Sequence, residues 1–128
     1  MTAAIRMQHD KDPATAIHEQ LGDIDDVDVF NDRILLAIYE RPEQTKGGVI
    51  LTQTSRAEDQ FQGKAAMIVK MGPVAVLKAE DRGGALNVGD WVAIRPSDGW
   101  PVRINKQMCR LVSEKDVHLR IASPDMAW

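Results

Sequence analysis

The sequence predicts an all-β domain behind a short N-terminal helix. Three observations carry that prediction. From residue 29 onward, short runs rich in β-branched and aliphatic residues recur at 34–39, 49–52, 65–71, 91–95, 108–112 and 117–121. Turn signals separate them: Gly47-Gly48, Gly72-Pro73, Arg82-Gly83-Gly84 and Ser97-Asp98-Gly99. Helical signals are few and gather before residue 23. Many short strands at close spacing point to a small barrel or sandwich.

The first 28 residues form an extension with its own character. Asp12 is suited to cap a helix, Pro13 to its first position and Gly22 to the position after its end. A helix over 13–21 would place Ile17 and Leu21 on one face, four residues apart. So thin a stripe is marginal in water, so this helix must dock or fray. Asp23-Ile24-Asp25-Asp26-Val27-Asp28 then puts four carboxylates in a short link. A calcium loop of the EF-hand kind needs Gly at its sixth place and Glu at its twelfth. Counted from Asp23, those places hold Asp28 and Ile34, so the link reads as a solvated acidic linker and no metal site is expected.

The run 33–39 shows blurred alternation, which suits a strand buried on both faces. Between Tyr39 and Ala65 the strand pattern lapses. Residues 40–46 and 54–60 are polar, and Val49-Ile50-Leu51 stands as an apolar patch between them. A long interruption of this kind inside a compact domain is usually functional or disordered. From the residues alone the patch has two readings. It is either a partner-binding segment led by Gly47-Gly48, or an internal strand with those glycines as its hairpin turn.

Composition excludes several functions. The 128 residues suit one domain with a modest core, 44% are hydrophobic, and the net charge is −3. With 5% aromatics and no basic cluster, the chain lacks what a nucleic-acid surface needs. His9, His18 and His118 are scattered, and neither a nucleophile-base-acid set nor a phosphate loop is present, so no enzyme and no cofactor are expected. Cys109 is the one cysteine, so no internal disulfide can form. It reads as a small packed residue in a reducing compartment. No apolar run is long enough to span a membrane, and residues 1–6 lack a hydrophobic signal core, so a cytoplasmic protein is expected.

Residues 30–36, Gly47 to Leu51, Val88 to Val92, Ser97 to Trp100 and residues 111–117, taken in this order, resemble segments of the GroES-type co-chaperonins (the chaperonin-10 family). Phe30-Asn31-Asp32-Arg33-Ile34-Leu35-Leu36 looks like their opening strand. Gly47-Gly48-Val49-Ile50-Leu51 is similar to the Gly-Gly-Ile-Val-Leu motif of their mobile loop. Val88-Gly89-Asp90-Trp91-Val92 resembles their Val-Gly-Asp turn and strand. Ser97-Asp98-Gly99-Trp100 looks like an Asn-Asp-Gly-Tyr turn, and 111–117 resembles the closing segment. The likeness covers about 29–121.

The resemblance implies a small GroES-like β-barrel over 29–121, with a long mobile loop at about 42–62 and a roof hairpin at 73–87. It also implies a homo-oligomer, a seven-fold ring, that caps a GroEL-type chaperonin ring and encloses a folding client. ATP and magnesium would belong to the chaperonin. Gly47, Gly48, Val49, Ile50 and Leu51 would be the chaperonin-binding residues. Trp100 would face the cage interior; the residues alone also allow a rim aromatic packed on its own barrel. The chain departs from the pattern in its long N-terminal extension, in a slightly long return arm after Leu51, in 73–87, which matches in length alone, and in a tail at 122–128. This divergence suggests a distant or viral member, as in a bacteriophage. A virion or other structural assembly protein reusing the barrel is the alternative.

Overall fold

The computed structural model describes residues 12–40, 64–81, 83–95 and 97–127. Helix α1 spans Pro13–Leu21, as its end signals predict. The Asp12 carboxylate accepts from the Thr15 amide at 3.4 Å, and the Gly22 amide donates to the His18 carbonyl at 2.9 Å. Ile17 and Leu21 are both buried. The last carbonyls of a helix have no partner within it. Here the turn at Asn105-Lys106 supplies donors: the Asn105 side-chain amide to Leu21 and the Lys106 amide to Gln20.

Six strands follow: β1 (Arg33–Ile38), β2 (Ala65–Met71), β3 (Trp91–Ala93), β4 (Trp100–Ile104), β5 (Gln107–Ser113) and β6 (Leu119–Ile121). They form one antiparallel sheet in the order β4-β5-β1-β2-β3-β6. The all-β expectation is met. Among the described residues β4 and β6 stand at the two ends of this order, and β6 extends its own sheet by pairing with β3. The strand expected at 49–52 lies outside the described residues. Strand β4 was not foreseen from the sequence. It carries Pro101, which an edge strand tolerates because one side of its backbone has no neighbour to bond.

β1 is buried on both faces from Ile34 to Ile38. Ile34, Leu36 and Ile38 meet Ala66, Ile68, Val92, Ile94, Met108 and Val112 in an inner core. Leu35 and Ala37 point the other way and meet Met67, Val69, Cys109, Ile17 and Leu21 in an outer core under α1. The β1–β2 register slips between Leu35 and Leu36, leaving Val69 as the extra residue of a bulge. Lys70 thereby sits opposite Leu35 on the outer side, and its ammonium donates to the Val27 carbonyl at 2.6 Å, fixing the acidic link to the sheet.

The stretch 73–87 is not the hairpin that the resemblance implies. Pro73–Asp81 is a nine-residue helix, α2, and Ala75 and Ala79 are its buried residues. The sequence Pro-Val-Ala-Val-Leu-Lys-Ala-Glu-Asp opens on a residue suited to a first helical turn, and Ala75, Leu77, Lys78, Ala79 and Glu80 are good helix formers. Its Val74 and Ala75 amides both donate to the Asn31 carbonyl, at 3.1 and 3.2 Å. That approach requires Gly72, where a Cβ would lie 2.4 Å from the Asn31 oxygen.

Candidate functional site

Gly47, Gly48, Val49, Ile50 and Leu51 lie outside the described residues. What the structure shows is how the residues on either side of the segment containing them are held. β1 and β2 are adjacent antiparallel strands, with Ile38 opposite Ala66. One step further the Tyr39 amide donates to the Ala65 carbonyl at 2.9 Å. The two ends are thus held side by side. Tyr39 and Ala65 form a third small core with Trp91 and Ile121. The Tyr39 ring meets Trp91 edge-on, with centroids 6.1 Å apart and planes at 83°. Beneath them, the Gln107 side chain donates to the Ile38 and Met108 carbonyls, each at 2.9 Å.

Trp100 opens β4 and lies opposite Leu111. Directly opposed residues share a face, so Trp100 lies on the outer side with Val102 and Ile104. It is 56% exposed. The sheet therefore does not bury it. The turn before it is built around Asp98, a buried residue. Its carboxylate accepts from the Arg95 amide at 3.0 Å and the Arg95 Nε at 3.1 Å, and its carbonyl accepts from the buried Arg110 at 2.6 Å. Burial pushes the Asp98 carboxyl upward, but the bonds and charge of Arg95 outweigh it and leave it below the usual carboxylate range. Gly99 completes the turn with φ +62°, and a Cβ there would fall 2.1 Å from the Leu111 carbonyl oxygen.

Cys109 is fully buried, and that burial pushes its thiol up to about 11. It is therefore a packed, protonated side chain rather than a nucleophile. Among the described residues, no three His, Cys, Asp or Glu side chains are grouped to hold a metal ion, and no helix is long and apolar enough to cross a membrane.

Sequence reasoning did not single out Tyr39, Trp91 and Asp125 as a group. The Tyr39 hydroxyl donates to the Asp125 carboxylate at 2.9 Å, across 86 positions of chain. Asp125 sits in a short 3-10 turn, Pro124–Ala127. No local pattern connects such distant residues; a tyrosine closing a strand next to a long polar interruption was the available signal.

The family model for the chaperonin 10 kDa subunit matches residues 26–121. Curated relatives agree with it. The co-chaperonin GroES of Streptococcus mutans is 33% identical over 89 residues, covering 69% of this chain and 90% of the relative. That of Methylorubrum populi is 33% identical over 93 residues, covering 69% and 88%. That of Clostridioides difficile is 27% identical over 88 residues, covering 69% and 89%. With the matched span running from before β1 to the end of β6, the chain belongs to the chaperonin 10 kDa family.

Proposed function

We propose that this protein is a non-enzymatic co-chaperonin that caps a GroEL-type chaperonin ring and closes its folding chamber over a client. The observation that carries the reading is the family match over 26–121, within which Gly47-Gly48-Val49-Ile50-Leu51 falls between β1 and β2. In this reading residues 42–62 are a mobile loop, and Val49, Ile50 and Leu51 enter an apolar groove on the chaperonin. Burying them yields roughly 5–8 kcal/mol gross, at about 1.5–3 kcal/mol per side chain. Ordering the flanks costs about 1–2 kcal/mol per residue fixed. One loop therefore binds weakly, and a ring of seven copies binds through effective concentration. Weak repeated contacts also release readily when the chaperonin changes shape with ATP and magnesium, which the partner binds. Trp100, exposed at the head of an edge strand, is the candidate to face the enclosed client. The cytoplasm is the expected location. The alternative of a virion or other structural assembly protein has no observation in its favour.

Ile50→Asp tests the reading. A charge in an exposed loop costs the fold little, whereas driving it into an apolar groove costs several kcal/mol per copy. The variant is expected to melt like the parent by circular dichroism and to lose nucleotide-dependent capture by chaperonin. A collapsed melting transition, or capture equal to the parent, sinks the assignment of this segment.

A further inference from the structure

We infer that the segment after β6 is a positioning element for the chaperonin-binding segment: through Asp125 it holds Tyr39, the residue at which the chain leaves β1. The inference rests on the binding role proposed above. The family match ends at residue 121, so Ser123, Pro124 and Asp125 are contributed from beyond it. They are nevertheless built into the root of the 41–63 segment. Pro124 is buried, and the 3-10 turn that carries it packs on β2, β3 and β6. The Asp125 amide donates to the Ser123 hydroxyl at 3.4 Å, and the Asp125 carboxylate accepts from the Tyr39 hydroxyl at 2.9 Å.

Tyr39 is only 3% exposed, and a buried phenol hydroxyl needs a partner. With the hydroxyl held by Asp125, the ring edge-on to Trp91 and the amide on Ala65, Tyr39 is fixed through hydroxyl, ring and backbone alike. A binding segment whose root is fixed has fewer conformations to give up when it docks, so it binds more tightly without any new contact to the partner. Releasing the hydroxyl frays the Tyr39–Ala65 bond, so that the root is no longer fixed. The inner core shares no residue with this cluster and is expected to keep its packing.

The test uses the full chain. Tyr39→Phe keeps the ring and removes the hydroxyl, Asp125→Ala removes the acceptor, and Asp125→Asn retains an acceptor oxygen. Amide exchange at Tyr39, exchange at Leu36 and Ile68, and chaperonin affinity with nucleotide are measured together. A single hydrogen bond corresponds to about two- to tenfold in an equilibrium. Tyr39→Phe and Asp125→Ala are each expected to speed Tyr39 exchange and weaken chaperonin binding by about that factor. Because the two substitutions share that bond, the double variant should lose less than the sum of the single ones. Asp125→Asn should stay near the parent, and exchange at Leu36 and Ile68 should not move. Faster Tyr39 exchange with unchanged affinity overturns the positioning role. Equal loss of protection at Leu36 and Ile68 overturns it in favour of plain stability. If the parent binds no chaperonin, the proposed function fails by itself. Unchanged Tyr39 exchange in both variants overturns the inference whether or not chaperonin binds.

Discussion

On the inner face of the sheet, Leu36 and Ile68 meet side chains from neighbouring strands and Ala75 of α2, all within the span shared with the family. On the outer face, Leu35 and Met67 meet Ile17 and Leu21, which precede that span. The outer face also keeps an apolar cleft of about 250 Å3 between the 27–31 link and β4–β5, and Phe30 beside it is 70% exposed. One face is thus closed by the fold's own strands and the other by an added helix and link. A core formed by sheet residues unfolds with the whole domain. A helix laid on top can leave by itself, at a cost limited to its own docking.

The largest expected effect breaks the inner face. Leu36→Ala should lower global stability by about 2–5 kcal/mol, read as a shift in the denaturant midpoint, because the side chain is fully buried among rigid strands. Leu21 is equally buried, yet Leu21→Ala should cost less, since α1 can detach while the sheet persists. Exchange of α1 amides should then accelerate while β1 amides stay protected. Equal global losses from the two substitutions would show that the faces form one cooperative unit.

The same contrast explains what was legible in the sequence. α1 was readable to the residue because its signals are local: a cap at Asp12, proline at 13, glycine at 22 and a spacing of four between Ile17 and Leu21. β2 was equally clear as an apolar run between turn signals. α2 was missed although its residues favour a helix, because the family's pattern was carried over to 73–87. Ala75 and Ala79, four apart, were the overlooked stripe. β4 was missed because Pro101 argues against a strand except at an edge, and edges are set by tertiary order. The Tyr39–Asp125 contact depends on tertiary order in the same way. The proposed binding patch could be named from Gly47 to Leu51 by resemblance, and the residues flanking it could be placed only from the structure.

A smaller effect concerns acid. Asp98 braces the turn before Trp100 and has a carboxyl held below its usual range. A lowered folded value means that the unfolded chain takes up the proton first. The stability this group contributes is therefore complete above the unfolded value near pH 4 and fades as pH falls through the lower folded value. Asp32, lowered by its bond from the Ser113 hydroxyl, acts in the same direction. Acid titration of the parent should show declining stability below about pH 4. Asp98→Asn should flatten part of that decline. An unchanged acid limb would mean that the Arg95 interactions are as strong in the unfolded chain.

The smallest effect isolates the outer covering. The Asp12 carboxylate caps α1 with a long bond of 3.4 Å to the Thr15 amide, in an exposed position. Replacing a capping residue by alanine costs about 0.5–2 kcal/mol, and a long, solvated bond belongs near the lower limit. If α1 opens independently, Asp12→Ala should speed exchange of α1 amides such as Ala16 by a few-fold and leave the denaturant midpoint of the sheet unchanged. The Asn105 and Lys106 contacts at the far end of the helix should hold its C-terminal turn, so the Gly22 amide, bonded to His18, should respond less than Ala16. A gradient from Ala16 to Gly22 would place the weak point of the outer face at the start of α1. Uniform acceleration along the helix would mean that it leaves the sheet as one piece. A shifted midpoint for β1 and β2 would mean that even this exposed cap is coupled to the inner core, and the two faces would no longer be separable.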